Sequence, residues 1–129
     1  MNRRLVHISI LVDDYDHAIE FYTKKLDFEL LCDDKLSDTR RWVLVKPKGQ
    51  GDCAILLAKA EGNHQKKVVG RQSGGRVFLF LSTDNFERDF VNLKRHNVTI
   101  IRDPSDETYG RVLVFSDLYG NKWDLIEYK

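Results

Sequence analysis

Leu5-Val6-His7-Ile8-Ser9-Ile10-Leu11-Val12 is an apolar run of strand length followed by Asp13-Asp14, and about 70 residues later the pattern returns as Arg76-Val77-Phe78-Leu79-Phe80-Leu81-Ser82-Thr83 followed by Asp84-Asn85. Each run leads into a segment with helical spacing: Ala18, Phe21 and Tyr22 in the first, and Phe86, Phe90 and Leu93 in the second. The ends of the two halves also correspond. Trp42-Val43-Leu44-Val45 turns through glycines into Ala54-Ile55-Leu56-Leu57, as Val112-Leu113-Val114-Phe115 turns through Tyr119-Gly120-Asn121 into Trp123-Asp124-Leu125-Ile126. A repeat of this length is a whole strand-helix-strand module, too long for a solenoid unit. Two copies imply a duplicated domain with a cleft between its halves.

The 129 residues suit one compact domain, and 42% hydrophobic content supplies a core. Lys and Arg nearly balance Asp and Glu, leaving a formal charge of +1, which gives no footprint for nucleic acid. No apolar run approaches the roughly 20 residues that span a bilayer, so no membrane partner is expected. The basic start, Met1-Asn2-Arg3-Arg4, precedes an apolar stretch that ends at Asp13 without a small-residue cleavage site, so it does not read as a signal peptide. Cys32 and Cys53 are therefore expected to be reduced, in a cytoplasmic protein.

The first module is expected over residues 1–60, a polar linker over 61–75 and the second module over 76–129. Strands are predicted at 4–12, 27–31, 40–46 and 53–58, with the first helix opening at Asp14, a good N-cap. The second module repeats the order: a strand over 76–82, a helix over 85–96, a strand over 98–101, a loop over 103–110 containing Pro104, and strands over 111–116 and 122–128. The fold class is α+β: two tandem βαβββ modules whose curved mixed sheets surround a central cavity, with the helices outside.

Three fragments carry a family likeness: H-x-x-x-x-V-D-D from His7 to Asp14, F-Y-x-x-x-L-x-F from Phe21 to Phe28, and D-L-Y-G-N-K-W-D-L from Asp117 to Leu125. With the paired modules they resemble the vicinal oxygen chelate superfamily, which holds glyoxalase I, bleomycin-resistance proteins and extradiol dioxygenases. The resemblance implies small-molecule handling, a divalent metal (Zn, Ni, Mn or Fe) in many members, lyase or isomerase chemistry in some, and a homodimer. Its metal ligands would fall on the first and last strands of each module. Here those places hold His7, Ile55 or Leu56, Phe78 and Asp124, so the implied set is reduced to His7 and Asp124.

Strand alternation then assigns a ligand face. Phe78 and Phe80 share parity, as do His7 and Ser9. Trp42 joins them, and Arg111, Leu113 and Phe115 are assigned to the same face, with Tyr109 at its rim. Ile8, Ile10, Leu79, Leu81 and Leu125 are expected to face the helices. The expected ligand contacts are Ser9, Trp42, Phe78, Phe80, Tyr109, Arg111 and Phe115. Two functions compete: glyoxalase-like chemistry at a degenerate metal site, and metal-free binding of a flat organic molecule, as in drug-sequestering proteins. A regulatory domain with a filled cleft is a third.

Overall fold

The computed structural model describes all 129 residues, which divide into two compact units, Met1–Val69 and Gly70–Lys129. In the first unit β1 (His7–Val12), β2 (Glu29–Lys35), β3 (Arg41–Lys46) and β4 (Ala54–Lys59) form one sheet in the order β1-β4-β3-β2. In the second, β5 (Val77–Ser82), β6 (Ile100–Glu107), β7 (Gly110–Ser116) and β8 (Lys122–Tyr128) form another in the order β5-β8-β7-β6. Each sheet is mixed. Its first and last strands run parallel, and the remaining pairs are antiparallel hairpins. This is the α+β architecture expected from the repeat.

The helices begin where short polar side chains cap them. Asp14 accepts the His17 amide at 2.9 Å to open α1 (Tyr15–Glu20), and Asn85 accepts the Arg88 amide at 3.1 Å to open α3 (Phe86–Arg95). Each cap satisfies a backbone donor that has no carbonyl within its own helix. The first helix continues as a π-helical turn, Phe21–Lys25, in which the Leu26 amide reaches the Phe21 carbonyl at 3.2 Å. Asp27 ends it in the left-handed conformation (φ 59°), and Asn97 (φ 56°) closes α3 in the same way, with the Val98 amide on the Leu93 carbonyl.

Alternation along the strands decides which face each helix covers. In the first unit α1 packs on β3 and β4, and Ile10, Val12, Val43, Val45 and Leu57 are fully buried. In the second, α3 packs on β8, the Phe86 amide meets the Glu127 carboxylate at 2.6 Å, and Leu113, Phe115, Trp123 and Leu125 are all buried.

Three expectations change. Residues 61–75 are not merely a linker, because Gly62–Val68 forms a further helix, α2, with no buried residue. Strand β2 runs on through Asp33-Asp34, where a turn was expected. Strand β6 continues through Pro104 to Glu107, with two register shifts on the way. Proline is tolerated there because β6 lies at the sheet edge, where a missing N–H costs no ladder bond.

Candidate functional site

Each sheet has a face turned away from its helix. In the first unit this face carries His7, Ser9 and Leu11 from β1. Ser9 pairs with Leu56, Leu56 with Leu44 and Leu44 with Cys32, so the four form a row across the sheet. The Trp42 indole lies on the same face, 38% exposed, with its ring edge-on to His7 at 6.2 Å. A recess beside Trp42, reaching past the strand to α1, is lined by Tyr15, Leu36, Arg40, Arg41 and Lys59.

Arg41 is not part of this face. Its guanidinium binds Asp33 through two nitrogens (3.0 and 2.7 Å) and Asp16 at 3.0 Å, and it stacks 5.1 Å from the Tyr15 ring centre. Bidentate pairing of this kind fixes the guanidinium in one orientation. It also holds the Asp33 carboxyl below the usual carboxylate range, chiefly through the Arg41 hydrogen bond.

In the second unit the equivalent face holds a row that crosses all four strands. Phe80 on β5 pairs with Asp124 on β8, Asp124 with Val114 on β7, and Val114 with Arg102 on β6. Phe80 is 69% exposed, an unusual setting for a phenyl ring in mid-strand. Phe78 shares its parity and is half-buried, and it occupies the irregular step between Val77 and Leu79. Asp124 Oδ1 is buried with no hydrogen-bond partner. Desolvation pushes the Asp124 carboxyl above its usual pKa, and the charge of Arg102 opposes that rise.

Two assigned contacts lie elsewhere. Phe115 is buried and stacks on Trp123 at 6.0 Å with rings 9° from parallel, on the α3 side of the sheet. Arg111 shares that side: its guanidinium lies 5.2 Å from the Phe86 ring centre and pairs with Asp106 at 3.0 Å. The face assigned to β7 was therefore inverted. Val112 and Val114, not Leu113 and Phe115, share the side of Asp124. Tyr109 is exposed in the turn between β6 and β7. Arg102 was missed because the sequence reading ended the sixth strand before it.

The Asp117-to-Asn121 fragment proves architectural. Asp117 is buried; its Oδ1 accepts the Tyr119 and Asn121 amides at 2.9 Å, and its Oδ2 accepts the Asn121 side chain at 2.8 Å. Gly120 supplies the positive φ the turn needs (98°). Gly70 lies so close to the Tyr119 carbonyl that an added Cβ would fall 1.8 Å from its oxygen.

These residues do not fit a tightly held divalent ion. No group of three His, Cys, Asp or Glu side chains is placed to hold one. His7 Nδ1 is 2.6 Å from the Val6 carbonyl, and its partner on β4 is Ala54. The register partners of Asp124 are Phe80 and Val114. Protein sites for Zn and similar ions supply at least three ligands.

The family model described as Glyoxalase/Bleomycin resistance protein/Dioxygenase superfamily matches residues 4–125. An uncharacterized protein of Shewanella frigidimarina is 45% identical over 128 residues, covering 98% of this chain and 95% of that protein. Among solved structures, UcmS2 aligns with a TM-score of 0.85 at 29% identity over 98% of both chains. TnmS3, described as an antibiotic binding protein from Streptomyces sp. CB03234, aligns with a TM-score of 0.79 at 27% identity over 99% of this chain and 98% of its own. The chain belongs to the glyoxalase/bleomycin resistance protein/dioxygenase superfamily. No helix is long and apolar enough to cross a membrane.

Proposed function

We propose that this superfamily member binds a flat, largely apolar organic molecule on a sheet face turned away from the helix packed across that sheet, and sequesters it without catalysis. The observation that carries the reading is Phe80, a large apolar side chain left exposed in mid-strand beside a carboxyl oxygen with no partner. Binding surfaces combine apolar walls with a few oriented polar groups. On the second unit's face Phe78 and Phe80 would supply such a wall; the first unit's face, taken by itself, offers Trp42 with Ser9 and His7. An antibiotic binding protein among the similar structures supports the same class of ligand. A homodimer in the cytoplasm goes with this reading.

Isothermal titration calorimetry tests it, because it registers a ligand wherever on the chain it binds. A panel of polycyclic aromatic compounds and aromatic antibiotics is expected to contain saturable binders that Phe80→Ala weakens by at least about tenfold. A panel with no binder, or binders indifferent to Phe80→Ala, would overturn the proposal. Zn, Ni, Mn or Fe added to chelator-treated protein is expected to leave ligand affinity unchanged. A metal-dependent gain lost in His7→Ala and Asp124→Ala would instead favour the metal-assisted chemistry. Light scattering checks the dimer.

A further inference from the structure

We infer that the Phe80–Asp124 step of the second sheet recognises a neutral hydroxyaryl group, its ring against Phe80 and its O–H donating to Asp124 Oδ1. This rests on the aromatic-ligand reading above and specifies the ligand's chemistry. The first support is the orphaned oxygen. Asp124 Oδ1 is buried and has no partner, a state that costs free energy until a donor reaches it. Ionised, or with its proton on the other oxygen, Oδ1 can only accept, and the partner it then lacks is a donor; with the proton on Oδ1 itself, a hydroxyl could still meet it through a lone pair.

The second support is register. Phe80 and Asp124 are paired on adjacent parallel strands, so their side chains leave the same face about 5 Å apart. A ring lying on Phe80 therefore places at Asp124 a substituent attached directly to that ring.

Arg102 selects among donors. It lies in the same row, beyond Val114, and its charge acts on Asp124. A cationic amine would meet that charge with repulsion. A hydroxyl instead offers its lone pairs to the guanidinium while its proton goes to Asp124. Since Oδ1 is closed to solvent in the free chain, a side chain must move to admit the ligand. Phe80 is exposed on the adjoining strand and, like exposed side chains in general, changes rotamer quickly.

The test uses the full chain and four probes that share one ring system: naphthol, its methyl ether, methylnaphthalene and naphthylmethylammonium. Naphthol is expected to bind about tenfold more tightly than the ether, which has an oxygen but no donor. The ammonium is expected to bind weakest. Asp124→Leu should erase the naphthol preference while leaving methylnaphthalene binding intact. Asp124→Asn, whose amide oxygen can still accept, should retain it, and thermal melts verify that both variants fold. Equal binding of naphthol and ether, tightest binding of the ammonium, or a preference that survives Asp124→Leu would each overturn the inference. Equal, Phe80-dependent binding of all four probes would sink this inference alone. Failure of all four to bind would count against the aromatic-ligand reading as well.

Discussion

The two units thread their strands in the same order, and the same offset relates their caps, Asp14 and Asn85, and the aromatic residues that follow, Tyr15 and Phe86. Even the arginine that stacks on that aromatic recurs: Arg41 over Tyr15 and Arg111 over Phe86. At the corresponding level of each helix-free face the likeness ends. The first unit presents Ser9, Leu56, Leu44 and Cys32; the second presents Phe80, Asp124, Val114 and Arg102. The shared parts are those that close helices and fill cores. The divergent parts do neither, so the fold leaves them free to carry chemistry. This also explains why Arg111, an attractive ligand contact by residue type, belongs with the scaffold: its counterpart Arg41 serves there too.

The largest expected difference between the halves lies in the turns before their last strands. Asp117 is buried and accepts three hydrogen bonds that shape the turn between β7 and β8. Asp52, near the end of the corresponding turn, makes only an exposed pair with Arg4, with side chains 64% and 70% exposed. Asp117→Ala is expected to cost about 3 kcal/mol, because it strands two amides and a side-chain donor. Asp52→Ala should change stability by less than about 0.5 kcal/mol. Urea denaturation of the two variants decides it, and equal losses would erase the distinction between a built turn and a solvated one.

Next in size is the contrast between stability and binding on the second face. Phe80 is exposed, so Phe80→Ala should move stability by less than about 0.5 kcal/mol while binding falls at least about tenfold. Asp124→Leu removes an unpaired buried oxygen and is expected to stabilise the chain by about 1 kcal/mol. Leu56→Asp, which writes the second unit's residue into the first, should destabilise instead, since it puts a carboxyl at a half-buried position with no arginine in its row. Thermal melts of the two exchanges should shift in opposite directions. Shifts of the same sign would mean that the rows are not equivalent.

Much of the scaffold was legible because it is written in contrasts: apolar runs against polar turns, and Asp14 at a helix start. Helix α2 was missed because Gly62–Val68 buries nothing and so shows no apolar period. The face of β7 was misread for the opposite reason. From Val112 to Ser116 every residue is buried, so alternation there gives no inside-outside signal. Parity had to come from pairing: Phe115 opposite Trp123 and Leu113 opposite Leu125. The hairpin register set by the Asp117 turn held that information, and Leu125 had already been placed toward the helices. Phe80 and Asp124 were legible on one face through the repeat, which sets Phe78 at the place of His7 and Phe80 two residues on, since the apolar run Val77–Leu81 carries no alternation of its own. Arg102 was not, since Pro104 disguised an edge strand as a loop.

The smallest difference concerns the two stacked arginines, and pH separates them. Arg41 holds Asp33 by two nitrogens with both side chains largely covered (28% and 30% exposed), whereas the Arg111–Asp106 pair is 41% and 73% exposed. Asp33 titrates below its ordinary value, chiefly through the Arg41 hydrogen bond. Its contribution is therefore complete above the unfolded carboxyl pKa of about 3.9 and disappears as pH falls through the lower folded value. Asp33→Asn should cost under about 1 kcal/mol near neutrality, and the cost should vanish in strong acid. Asp106→Asn should cost less at neutrality, because an exposed pair is screened by water and salt. Urea unfolding of both variants across the acid range checks the pair. No loss in Asp33→Asn at neutrality would show that Arg41 is held by the Tyr15 ring and Asp16 rather than by Asp33, and a loss that persisted once the carboxyl was protonated would show that the ion pair is not its cause.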